Sequence, residues 1–222
     1  MKKFIALVAM LLPLAVMAQE KKEASVPVPA TENTFRMAAE LSKYGYANND
    51  ALSLIQAARM AKQAGFVAQQ QEKTEETGTS TGDGDKKEKA GNISLDPAKL
   101  LADAKAKAGD DGVLLALIDD VQSNVRGAVG GSKYAVDRVN AHSTDTYRIS
   151  FRAQEVAIVT VIGDGDTDLD LYIYDENGNL ITSDTDYTDD CVCTFTPRWT
   201  GVFVIKIVNR GSVYNQYVLR TN

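Results

Sequence analysis

The chain has 222 residues with 24 basic and 30 acidic groups, a single histidine and two cysteines. A net charge of −6 argues against a nucleic-acid partner, because such binding is driven by neutralising phosphates. One histidine leaves little room for a zinc enzyme or a His-based triad.

Lys2 and Lys3 form a positive start, and Phe4 to Val16 is an apolar run interrupted only by Pro13. Val16-Met17-Ala18 then offers the small residues a signal peptidase reads. The expectation is a signal peptide over 1–18, cleaved after Ala18. The run is too short to span a bilayer. No cysteine follows it, so a lipoprotein is not expected, nor is membrane insertion. The mature protein is expected in the periplasm or outside the cell.

Residues 19–33 read as an extended leader. From 34 the pattern is helical: Thr34 is placed to cap a helix carrying Phe35, Ala38, Leu41 and Tyr44 at helical spacing, broken at Gly45. Asp50 caps a second helix carrying Leu54, Ile55, Ala58 and Ala61, stopped near Gly65. Residues 34–66 therefore form a helical hairpin. Gln69 to Asn92 holds no aromatic and no large aliphatic residue, so 67–93 is expected to be a disordered linker. Asp96-Pro97 opens a third helix, and Asp110 or Asp111 a fourth with Leu114, Leu115, Ile118 and Val121 on one face. This pair covers 94–130, and 131–143 is a hinge.

At residue 144 the period changes to two. Tyr147, Ile149 and Phe151 alternate with Arg148, Ser150 and Arg152, and similar runs recur to Leu219. Asn177-Gly178 is a two-residue hairpin signal. About seven short strands over 144–222 indicate an antiparallel β-sandwich or jelly-roll-like domain. The fold class is α+β: two helix pairs split by a disordered linker, followed by the sandwich.

Three segments carry a family resemblance. They are Tyr147-Arg148-Ile149-Ser150-Phe151, Asp168-Leu169-Asp170-Leu171-Tyr172-Ile173-Tyr174, and Phe195-Thr196-Pro197 followed by Thr200-Gly201-Val202-Phe203-Val204-Ile205. On these the region 145–222 resembles the bacterial pre-peptidase C-terminal domain, a small secreted β-sandwich. The resemblance implies a binding or accessory module beside a secreted peptidase. Related collagen- and polysaccharide-binding modules have similar sandwiches, some with Ca²⁺. No segment of these 222 residues reads as a peptidase.

The chemically loaded stretch is acidic. From Asp164 to Asp190 there are ten Asp or Glu residues and no Lys or Arg. Asp164, Asp166, Asp168, Asp170 and Asp175 could supply the hard oxygens that Ca²⁺ takes. Their spacing mimics an EF-hand, but Leu169 stands where the sharp turn needs glycine. Asx-turns and a solvated acidic face are the competing account. Cys191 and Cys193 share one face of a strand. In an oxidising compartment they are expected to pair, although alternate strand residues lie near the limit of a disulfide's reach. Two buried thiols, or a soft-metal or redox pair, are the other readings. Trp199, Tyr172 and Tyr174 are the candidate ligand-binding aromatics.

His142 has no nucleophile motif around it, and the closely spaced Asp residues do not suggest a split acid/base pair. The sequence therefore indicates a non-enzymatic binding module with a protein or glycan ligand at the cell envelope, possible Ca²⁺ stabilisation included. The second reading is an accessory, chaperone or inhibitor subunit of a secreted peptidase.

Overall fold

A computed structural model describes residues 30–77, 91–123 and 133–222. The expected signal peptide, most of the leader, the centre of the linker and the end of the second helix pair lie outside these residues. Four helices and ten strands follow: α1 (Ala30–Ala47), α2 (Ala51–Ala64), β1 (Val67–Ala68), β2 (Lys73–Thr77), α3 (Pro97–Ala108), α4 (Gly112–Ser123), β3 (Lys133–Val139), β4 (Ser143–Phe151), β5 (Ala157–Gly163), β6 (Leu169–Tyr174), β7 (Leu180–Asp184), β8 (Asp190–Phe195), β9 (Gly201–Asn209) and β10 (Asn215–Thr221).

The helices begin and end where local chemistry directs. The Asp50 carboxylate accepts from Leu52 N at 3.0 Å and caps α2. Gly65, at φ 66°, closes it in the left-handed conformation. Asp96 caps α3, with Pro97 in its first turn. Asp111 accepts from Val113 N and Leu114 N at the start of α4.

The strands form two five-stranded sheets, ordered β1-β3-β10-β5-β8 and β2-β4-β9-β6-β7. Their facing sides bury Val139, Val159, Leu171, Ile173, Phe203, Ile205 and Tyr217 in one core. The helices pack on the outer side of the first sheet. Phe35, Ala38 and Phe66 meet Tyr134, Ile162 and Val218 there, with Ile93 and Leu95 filling the same layer. Phe35 and Phe66 make an edge-to-face pair at 5.5 Å. A third cluster joins α2, α3 and α4 through Leu54, Ile55, Leu100 and Ile118. The order of layers is helices, first sheet, second sheet. The outer face of the second sheet carries no helix among the described residues.

Three expectations fail. α1 starts at Ala30, inside the expected extended leader, and Thr34 lies within it, its hydroxyl donating to Ala30 O at 2.9 Å, and does not cap it. Part of the segment expected as a disordered linker is strand: β1 pairs in parallel with β3, and β2 runs antiparallel to β4 from Lys73↔Tyr147 to Thr77↔Ser143. The segment buries little of its own side-chain surface. It gains order from backbone groups of existing sheet edges, which composition does not register. The expected hinge contains β3, whose Tyr134, Ala135 and Val139 are buried and whose backbone pairs with β10.

Candidate functional site

The Asp-rich segment lies between β5 and β6, and its carboxylates do not converge. Among the described residues no group of three or more His, Cys, Asp or Glu side chains is arranged to hold a metal ion. Asp164 accepts from Gln216 N at 3.1 Å and from Asp166 N at 3.3 Å, the latter an Asx-turn. Asp166 packs against Gly91, where an added Cβ would come within 2.7 Å of Oδ1. Asp168 is half-buried, and its Oδ1 lacks a hydrogen-bond partner among the described residues. Burial, with the charges of Asp170, Asp186 and Asp189, pushes its carboxyl upward.

Asp170 is paired with Arg210, whose Nε donates at 2.6 Å. Asp175 accepts from Asn179 Nδ2, Asn179 N and Asn177 N at 2.8–2.9 Å, and these bonds hold its carboxyl below the ordinary range. Its Asx-turn also corrects the hairpin expectation. Asn177-Gly178 is not a two-residue connection but the tip of the longer loop 175–179, closed by Gly178 N to Asp175 O at 3.1 Å.

Part of the acidic stretch serves the chain's own helix. Lys43 of α1 reaches Asp189 at 3.4 Å and Asp190 at 3.2 Å. Burial alone would lower the Lys43 pKa, but Asp189, Asp190 and Glu40 outweigh it and hold it above its ordinary value. Asp189 also accepts from Gly165 N at 2.5 Å. Beside it, a Cβ at Gly163 would collide with Asp189 Oδ2, so only glycine fits there.

The expected Cys191–Cys193 disulfide is not formed. Both cysteines are free and buried, pointing into the core between the sheets. They are alternate residues of one extended strand, a separation that strains a disulfide, while as thiols they pack as small apolar side chains. Cys191 Sγ donates to Leu169 O at 3.1 Å. Burial pushes the Cys193 thiol up to about 12, and Cys191 higher still. Native protein is expected to resist iodoacetamide at neutral pH and to take up two equivalents once unfolded. Mass spectrometry reads the result, and a resistance in urea that only a reductant relieves would contradict the free-thiol arrangement.

The three candidate aromatics separate. Trp199 is 37% exposed and stacks on Phe203 at 5.7 Å, so much of it is packing. Tyr172 and Tyr174 stack on each other at 6.3 Å on the outer face of the second sheet. The Tyr172 hydroxyl is held by Asp170 at 3.1 Å and Arg210 at 3.0 Å. Tyr174 instead lines an open groove of about 340 Å³ with Arg148, Val204, Lys206, Asp175 and Glu176.

Register places these groups together. Val204 lies between Arg148 on β4 and Tyr174 on β6, and Lys206 follows it two residues on, beside Tyr172. Arg148 and Lys206 are thus diagonal neighbours, about 7–8 Å apart along the backbone. Asp175 is committed to its turn, so Arg148, Lys206 and Glu176 are the charges left for a ligand. Neither Arg148 nor Lys206 stood out as a site residue in the sequence. Arg148 alternates outward, but its proximity to Lys206 depends on how distant strands pair. His142 is exposed at φ 50° in the β3–β4 turn, its backbone N donating to Gly211 O at 3.1 Å.

The fold defines the class: an α+β protein in which helices cover one sheet of a β-sandwich. No family model matches the sequence. No curated protein matches it either. Among solved structures it is similar to the pre-peptidase C-terminal domain of collagenase from Bacillus anthracis, with 11% identity over 41% of this chain and 89% of that one, at a TM-score of 0.36. It is also similar to PliG of Aeromonas hydrophila, a periplasmic inhibitor of g-type lysozyme, with 14% identity over 44% of this chain and 91% of that one, at 0.34. A carbohydrate-binding module of Cellvibrio mixtus lichenase 5A, in complex with cellotriose, gives 13% identity over 38% of this chain and 72% of that one, at 0.26. No helix among the described residues is long and apolar enough to cross a membrane.

Proposed function

We propose that the chain is a non-enzymatic binding module acting outside the cytoplasm, and that the outer face of the second sheet is its binding surface. The observation that carries this reading is the groove over β4, β9 and β6. It combines an apolar and aromatic floor at Val204 and Tyr174 with charged groups at its rim. That composition suits a small ligand or a protruding segment of a larger one. Its volume sits at the low end of the range of about 300–1,000 Å³ seen for small-ligand sites. In this reading the ligand is a glycan or protein of the cell envelope.

An array of envelope glycans and secreted proteins, probed with the full chain, tests the reading. Saturable binding to at least one member is expected, with the bound member recovered chemically unchanged. Turnover of the bound member, or no binding across the array, overturns it.

The Asp-rich loop, in the same reading, fastens α1 and shapes turns without a metal. The melting temperature is expected to stay within about a degree through EDTA treatment and subsequent millimolar Ca²⁺. Tight binding of a cation raises apparent stability by mass action. A Ca²⁺-dependent rise of several degrees would therefore restore the calcium expectation.

A further inference from the structure

We infer that the groove on the second sheet selects a carboxylate-bearing saccharide, a single uronate ring being the simplest example. This rests on the binding reading above and adds the chemical class of the ligand. The chain is acidic overall, at net −6. On this face, however, two cations are diagonal neighbours, Arg148 and Lys206, on adjacent strands of one sheet. Arg148 is exposed, and no ion pair involving it is formed among the described residues. The one acidic partner of Lys206 there is Glu76, at 3.9 Å and 69% exposed. An exposed pair of that kind contributes only about 0–1 kcal/mol and yields readily to a ligand carboxylate. Arg148 also presents the planar fork that takes a carboxylate in bidentate fashion.

The rest of the groove distinguishes a sugar from an acidic peptide. Glu176, on the exposed loop after β6, lines the same groove. A second carboxylate in the ligand would be repelled there, whereas a ring hydroxyl can donate to it. Tyr174 and Val204 give an apolar floor suited to the C–H face of a pyranose ring. A uronate supplies all three: a carboxylate for the cations, hydroxyl donors for Glu176, and an apolar ring face for the floor.

Methyl galacturonoside, which carries a single carboxylate, and its methyl ester make the direct test, because the ester keeps the ring and removes the charge. Binding of both to the full chain is measured by titration calorimetry at low salt. The acid is expected to bind and the ester to bind at least tenfold more weakly, since one charge-assisted contact is worth more than a factor of ten. The double variant R148Q/K206Q should lose at least tenfold for the acid, and added salt should weaken the wild-type complex. Both side chains project from the sheet's outer face, so the variant's melting temperature should match the wild type and exclude misfolding.

Equal affinity for acid and ester, or no loss in the variant, overturns the charge selection and leaves the binding reading intact. Binding of a poly-glutamate peptide in preference to the uronate overturns the saccharide class. Absence of uronate binding beside hits elsewhere on the array overturns this inference alone. Absence of any ligand overturns both.

Discussion

Replacing Glu32 by alanine is expected to cost about 3–5 kcal/mol, the penalty for leaving a buried charge without its partner. Glu32 in the first turn of α1 forms an ion pair with Arg220 of β10, and both are almost fully buried, at 1% and 3% exposure. Thr160 of β5 donates to the same carboxylate at 2.5 Å. Arg220 also lies over the Phe35 ring at 5.6 Å. The pair therefore fixes α1 to the middle of the first sheet. For a chain of this size each kcal/mol lowers Tm by about 2–4 °C, so a fall of roughly 10 °C is expected. The double change E32L/R220M removes both charges and is expected to recover most of the loss. A double-mutant cycle read by thermal or urea unfolding checks this. Additive losses from the two single changes would contradict a coupled pair.

The second large effect is an alkaline limit on stability. Tyr147 and Tyr217 share a hydrogen bond of 2.5 Å in the core, and Tyr217 donates to the fully buried Asp145 at 2.5 Å. Burial drives both phenols well above 10.0, and pushes Tyr134, against the helices, up to about 12. Between 10.0 and these raised values the unfolded chain has released protons that the folded chain still holds. Stability is therefore fully present below pH 10 and falls as pH rises through the folded values. Three such phenols give a slope approaching about 4 kcal/mol per pH unit. Lys73 acts in the same direction: burial lowers its pKa, but Asp137 and Asp145, at 2.6 and 2.8 Å, raise it further. Cooperative unfolding between pH 10 and 12, coincident with tyrosinate absorbance, is the expected result. Titration of Tyr134, Tyr147 and Tyr217 near pH 10 while the fold persists would contradict the buried network.

Much of the fold was legible because its signals are local. Asp50, Gly65, Asp96 and Pro97 mark helix ends through their own backbone chemistry. Alternation from Tyr147 to Phe151 and from Phe203 to Ile207 marks strands with one buried face. The features that escaped notice depend on distant pairing. β2 reads as a polar tract, yet Lys73 on it reaches the buried Asp145 from a strand about seventy positions away. Glu32 was assigned to an extended leader, because nothing within its own segment announces Arg220.

The site was legible in kind more than in position. Tyr174 was named and does line the groove. The aspartates read as candidate oxygens for a metal; Asp164 and Asp175 accept from backbone amides and Asp170 holds Arg210. The partners of those oxygens come from loops and strands that periodicity cannot assign. Arg148 and Lys206 read as ordinary outward-facing residues; the β4–β9 register makes them diagonal neighbours.

The central claim is that the outer face of the second sheet binds a ligand. Amide shift mapping of the full, isotopically labelled chain tests it most directly, using whichever glycan or protein the array returns. The predicted result is perturbation concentrated on Arg148, Tyr174, Glu176, Val204 and Lys206, with the helices and the β7–β8 loop quiet. Perturbation centred on α1–α4 or on the Asp164–Asp170 segment, with β4, β6 and β9 unmoved, would contradict it.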